Sequence, residues 1–169
     1  MNDTRRLFHW IFALVALGTS GGPVFAADLN PTGAWQVIGY TAQDAQSGAI
    51  TEPFGPQPTG TAIYTAKGHM SVLVTGRNRA AATSGSDAER GAAKGQLLDS
   101  MYGYAGSYTM NGKTVTIHIE SAWQPAWVGT DRVRTLTLDG DTLTITTPPM
   151  QSPVDAKTYI SVTRFKRVE

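Results

Sequence analysis

The chain has 169 residues, with 14 basic and 13 acidic side chains and a formal net charge of +1, so no bulk field draws it to nucleic acid or an anionic membrane. It contains no cysteine, which excludes disulfides, thiol catalysis and thiolate zinc sites. With only three histidines, no metal centre and no cofactor are expected.

The opening segment, "MNDTRRLFHWIFALVALGTSGGPVFA", has a positive head at Arg5 and Arg6, a largely apolar run from Leu7 to Leu17 and a small-residue close at Ala26. That is the pattern of a secretory signal peptide spanning residues 1–26. The run is short for a bilayer span, and an uncleaved anchor is the alternative. "TRRLF" fits a twin-arginine signal as well as an ordinary Sec signal. Cleavage after Ala26 would remove Arg5 and Arg6 from the bases and Asp3 from the acids, leaving 12 of each in a periplasmic or secreted domain, residues 27–169.

The rest reads as short alternating segments between turn signals. "GAWQVIGYTAQ" (33–43) is a strand with Trp35, Val37 and Gly39 on one face. Residues 45–60, rich in Pro and Gly, form a long loop. "TAIYTAKGHMSVLVT" (61–75) is a hairpin turning at Thr65–Gly68. A small, polar loop (76–86) leads into a helix. Ser86 and Glu89 have capping-box spacing, and Ala93, Leu97 and Met101 form an apolar stripe. Gly91 and Gly95 cost that helix about 1 kcal/mol each against alanine. Two further hairpins, centred on Asn111-Gly112 and Asp139-Gly140, suit type I′ turns. A last strand covers 157–168.

The sum is an all-β domain of about eight antiparallel strands in up-and-down order, with one short helix between the third and fourth. Such a sheet removes its edges by closing into a barrel wide enough for side chains or one small ligand.

"GAWQVIGY", "GTAIYTAKGHMSVLV", "YAGSYTMNGKTVTIHIE", "WVGTDRVRTLTLDGDTLTITTPP" and "ISVTRF", in that order, resemble the bacterial and fungal lipocalin-like domain family. The resemblance spans nearly all of 33–167 and implies a small barrel with an internal cavity. Some lipocalin-like barrels act as isomerases or cyclases, but the resemblance carries no reaction to this chain. Ala126 departs from the pattern, in which Asn commonly precedes the Trp. Gly33-x-Trp35 resembles the G-x-W of lipocalins, where the Trp plugs one end of the barrel under an Arg of the final strand; Arg164 is the expected partner.

"HIESAWQPAWVGTDRVR" (118–134) gathers most of the chemistry. Alternation puts Val115, Ile117 and Ile119 on one face and Thr114, Thr116, His118 and Glu120 on the other. Either the apolar set faces inward and His118 faces water, or His118 looks into a polar-lined cavity. Pro125 breaks the ladder, so Trp123 and Trp127 stand at a corner, as a cap on the core or as a wall of a ligand entrance. Arg132, Arg134, Leu136 and Leu138 share a face. If Arg134 is buried it needs a partner, either Glu120 or a ligand carboxylate. Tyr64, Tyr104 and Tyr108 could add hydroxyls.

The candidate ligand-binding set is therefore Tyr64, Tyr108, His118, Trp127 and Arg134, with His118 the one candidate catalytic residue. Three functions follow. The first is an exported barrel binding an apolar or amphipathic small molecule, with loop 76–86 as a gate. The second is an isomerase- or cyclase-type enzyme using His118 as general acid/base. The third is a structural barrel with a solid core. A haem carrier using His69 or His118 as axial ligand ranks below these. No hydrolase, oxidoreductase or phosphate-loop motif is visible.

Overall fold

The computed structural model describes residues 29–77, 79–152 and 155–168. The signal segment expected at 1–26 lies outside the described residues. Ten strands form one sheet in the order β2-β1-β3-β4-β5-β6-β7-β8-β10-β9. They are β1 (Gly33–Asp44), β2 (Ile50–Thr51), β3 (Thr59–Tyr64), β4 (His69–Thr75), β5 (Met101–Asn111), β6 (Thr114–Ala122), β7 (Asp131–Asp139), β8 (Thr142–Thr146), β9 (Met150–Gln151) and β10 (Thr158–Arg167). β1 also pairs antiparallel with β10, from Trp35 opposite Arg167 to Asp44 opposite Tyr159. That pairing closes eight strands into a barrel, with the two-residue β2 and β9 as additions at one end.

Helix α1 (Asp87–Asp99) lies between the third and fourth barrel strands. Its capping box forms: the Glu89 amide donates to Ser86 Oγ, and the Glu89 carboxylate accepts from the Ser86 amide at 2.7 Å. The helix ends before Met101, which starts β5 instead of extending the apolar stripe. None of its residues is buried. Its C-terminal turn is held by Arg79, whose guanidinium donates to the Leu97 carbonyl at 2.7 Å and to Ser100 Oγ at 3.0 Å, joining the Ser100 hydroxyl on a carbonyl at the helix end, where backbone partners run out.

The two glycine hairpins differ from expectation in turn type. Asn111 pairs with Thr114 and Asp139 with Thr142, so the central residues are Gly112-Lys113 and Gly140-Asp141. Only the glycines have positive φ, +57° and +53°. Glycine first, with an ordinary residue second, is the pattern of type II′; Asn111 and Asp139 are the last residues of their strands.

The apolar faces point inward. Trp35, Val115, Ile117, Leu136, Leu143 and Phe165 are fully buried and fill one half of the barrel. Trp35 plugs that end, its indole N–H donating to the Pro31 carbonyl at 2.8 Å. The arginine across it is Arg167, with its guanidinium 4.0 Å from the ring centroid and a bond to the Thr32 carbonyl. Arg164, expected in this role, is exposed, because inward positions on β10 run Thr163, Phe165, Arg167.

Two bulges change the strand phase partway along the barrel. On β1 the register with β10 slips between Val37 and Gly39. Trp35 and Val37 face in below the slip, and Tyr40 and Ala42 face in above it, so Gly39 does not continue the inward row as its spacing predicts. On β6, Gly106 of β5 pairs with Ile119 but Ala105 with Ser121, leaving Glu120 extra. A Cβ at Gly106 would lie 1.9 Å from the His118 carbonyl oxygen, so only glycine permits this approach.

Candidate functional site

The half of the barrel away from Trp35 is not filled. A cavity of about 250 Å³ opens there, just below the usual range for drug-sized ligand pockets. Strand ends and connections build its mouth: the β1–β3 connection carrying Phe54, the β6–β7 connection carrying Trp123 and Trp127, and the β8–β10 connection.

Its wall is an unbroken chain of aromatic contacts. Phe54 meets Tyr40 at 4.6 Å between centroids, Tyr40 meets Tyr102 at 5.7 Å, and Tyr102 stacks on Tyr104 at 6.2 Å. Tyr104 then meets Trp127 edge-on at 6.0 Å, and Trp127 meets Trp123 at 6.1 Å. A short 3₁₀ turn, Pro125–Trp127, sets the two tryptophans at right angles. The Arg132 guanidinium lies 4.8 Å from the Trp127 ring centroid.

Several polar groups face this wall with partners missing. Arg134 is 5% exposed and lines the cavity. Among the described residues its one hydrogen bond runs from Nη1 to the Val133 carbonyl at 2.8 Å, although a guanidinium carries five N–H donors. Among the described residues no carboxylate lies within ion-pair distance of it. Tyr64 and Tyr104 border the same space, and their hydroxyls have no hydrogen-bond partner among the described residues, whereas Tyr40 donates to Ser161 Oγ at 2.8 Å and Tyr102 pairs with Thr163. Trp123 Nε1, and Arg132 Nε just outside the cavity lining, are buried and lack partners among the described residues.

Burial pushes the phenols of Tyr40, Tyr64 and Tyr102 up from their ordinary pKa, Tyr64 and Tyr102 most strongly. They therefore remain O–H donors throughout the physiological range. The linkage has a definite sign: above about pH 10 the unfolded chain loses protons that the folded barrel keeps, so stability falls as pH rises. Alkaline titration followed at 295 nm is expected to show the buried tyrosines ionising only with loss of near-ultraviolet circular dichroism. Full ionisation with the fold intact would contradict their burial.

Of the residues singled out in the sequence, Tyr64, Trp127 and Arg134 line the cavity. Tyr108 does not. It packs edge-on against Tyr64 at 5.2 Å and donates to the Thr65 carbonyl, which pins the β3–β4 turn. His118 lies on the outer face, exposed, with Nδ1 2.9 Å from Asp131 Oδ1. Its inward neighbours Ile117 and Ile119 fill the core, so strand alternation forces it out. His69 is exposed as well. Neither imidazole reaches the cavity, so neither is placed to act there as a general acid/base or as an axial ligand. Glu120, the expected partner of Arg134, is also outside: the bulge leaves Glu120 and Ser121 both exposed and returns Ala122 to the interior. The described residues of loop 76–86 contribute nothing to the cavity wall; several of them border a separate groove beside α1.

Sequence reasoning missed Tyr40, Phe54 and Tyr102. The β1 bulge hides Tyr40, Phe54 lies in a loop without periodicity, and Tyr102 stands at a helix–strand junction. The alternating tyrosines of "MYGYAGSY" were the available signal.

A closed eight-stranded barrel, plugged at one end and hollow at the other, is the architecture of a small-molecule-binding barrel. The chain belongs to the lipocalin-like domain family, whose match covers residues 32–168. No curated protein and no solved structure matched it.

Proposed function

We propose that this protein binds one small amphipathic molecule in the hollow half of its barrel. The carrying observation is that the interior divides in two: a solid plug beneath, and above it a cavity walled by aromatic rings with a few inward polar groups. That combination of apolar wall and sparse polar anchors is what small-molecule sites present. Export to the periplasm or exterior is part of this reading and rests on the signal pattern at residues 1–26. Among the described residues no helix is long and apolar enough to cross a membrane.

The test is native mass spectrometry of the protein purified from its producing cells, paired with titration by the neutral fluorophore N-phenyl-1-naphthylamine. A stoichiometric adduct, or saturable one-site binding of the fluorophore, is expected. Binding should be lost in Ala42→Trp, which fills the cavity from β1. A clean apo mass together with fluorophore binding indifferent to Ala42→Trp would overturn the proposal.

A further inference from the structure

We infer that the ligand is an amphipathic carboxylic acid whose carboxylate seats on Arg134, with its apolar body against the tyrosine and tryptophan wall. The inference rests on the binding reading above and adds the chemistry of the head group.

Three observations carry it. First, Arg134 is a buried cation with one backbone bond and no acidic partner among the described residues. A buried charge without a counter-charge is costly, and proteins ordinarily pair it. Two carboxylates border the cavity, Asp99 and Asp155, but neither serves. Asp99 is exposed at the end of α1. Asp155 accepts from the Tyr159 hydroxyl at 2.7 Å and from the Lys157 amide.

Second, Arg132 sits two residues away on the same inward face. Strand geometry puts the two side chains about 7 Å apart. Arg132 does not itself line the cavity, but its charge adds to the positive potential beside Arg134, and desolvation together with Arg134 lowers its pKa. An anion seated on Arg134 offsets that repulsion and supplies the missing partner.

Third, the remaining donors match a carboxylate. Tyr64 and Tyr104 offer free hydroxyls, and Tyr64 is close enough to Arg134 to feel its charge. The guanidinium fork meets a carboxylate through two parallel bonds. Arg134 has Leu136, fully buried, below it on β7, and Phe165 also lines the cavity. The head group therefore enters first, and the apolar body lies toward Trp123 and Trp127.

The experiment compares decanoate with decanol, and 2-naphthoate with 2-naphthol, by calorimetric titration of the native protein, Arg134→Met and Tyr64→Phe. In the native protein each acid should bind at least about tenfold more tightly than its alcohol, the scale of one charge-assisted contact. Arg134→Met should reduce that ratio to near one by weakening the acid alone. Tyr64→Phe, which keeps the ring, should reduce it several-fold and provides the test if Arg134→Met does not fold. Equal affinity for acid and alcohol in the native protein would overturn the carboxylate assignment while leaving the binding barrel intact. So would tightest binding by decylamine, which would point to Asp99 and Asp155. If none of these probes binds, the binding reading itself fails, and the two failures are distinguished by the alcohols.

Discussion

Truncating Trp35 to alanine is expected to cost the barrel about 3–5 kcal/mol, the range for a buried aromatic cut back to a methyl. Trp35 is fully buried and donates to the Pro31 carbonyl. It also carries Arg167, which bonds the Thr32 carbonyl and so ties the last strand to the segment entering the first. Removing the indole leaves a void, an unpaired carbonyl and a stranded guanidinium in one place. For a domain of this size the loss corresponds to a melting temperature lower by roughly 10–20 °C. Trp35→Phe keeps most of the volume and should cost about a third as much. A melting temperature for Trp35→Ala within about 3 °C of the native value would show that this end of the barrel is not held by the plug.

The second large effect has the opposite sign. Arg134→Met is expected to make the ligand-free barrel more stable, by about 1–3 kcal/mol in urea unfolding. Methionine retains the length of the side chain and removes a buried charge that no acidic side chain balances. Arg134→Ala would be a poor substitute, since it adds a void to the charge removal. Destabilisation by more than about 1 kcal/mol in Arg134→Met would mean that the apo barrel depends on the guanidinium. Such a result would detach Arg134 from any role reserved for a ligand.

The fold was legible from the sequence because its signals are local and repeated. Turn residues at 65–68, 111–112 and 139–140 separate segments of period two, and near-neighbour pairing leaves closure as the way to remove edges. The site was only partly legible. Tyr64, Trp127 and Arg134 were found because aromatic and cationic residues on an inward face are conspicuous. His118 and Glu120 were placed with Arg134 by proximity in the chain, but strand alternation sends His118 outward, and an extra residue at Glu120 sends that carboxylate out as well. The sequence points to Arg164 and not to the true partner, Arg167, because closure register cannot be read from one strand; it depends on how β1 meets β10. A bulge leaves little mark in a pattern of hydrophobicity. The one available at Glu120 was Gly106, whose need to be glycine becomes evident only with its neighbour in place.

The slips at Val37/Gly39 and Ala105/Gly106 both fall near the boundary between plug and cavity. Each acts as a phase shifter, letting the upper lining follow a different beat from the packed base. Without these slips, regular alternation would carry Gly39 and Ser121 inward and send Tyr40 and Ala122 to the surface, while the positions beneath kept their places. One extra residue in each of two strands thus decides which side chains the cavity sees, and leaves the packed base that keeps the barrel folded as it is.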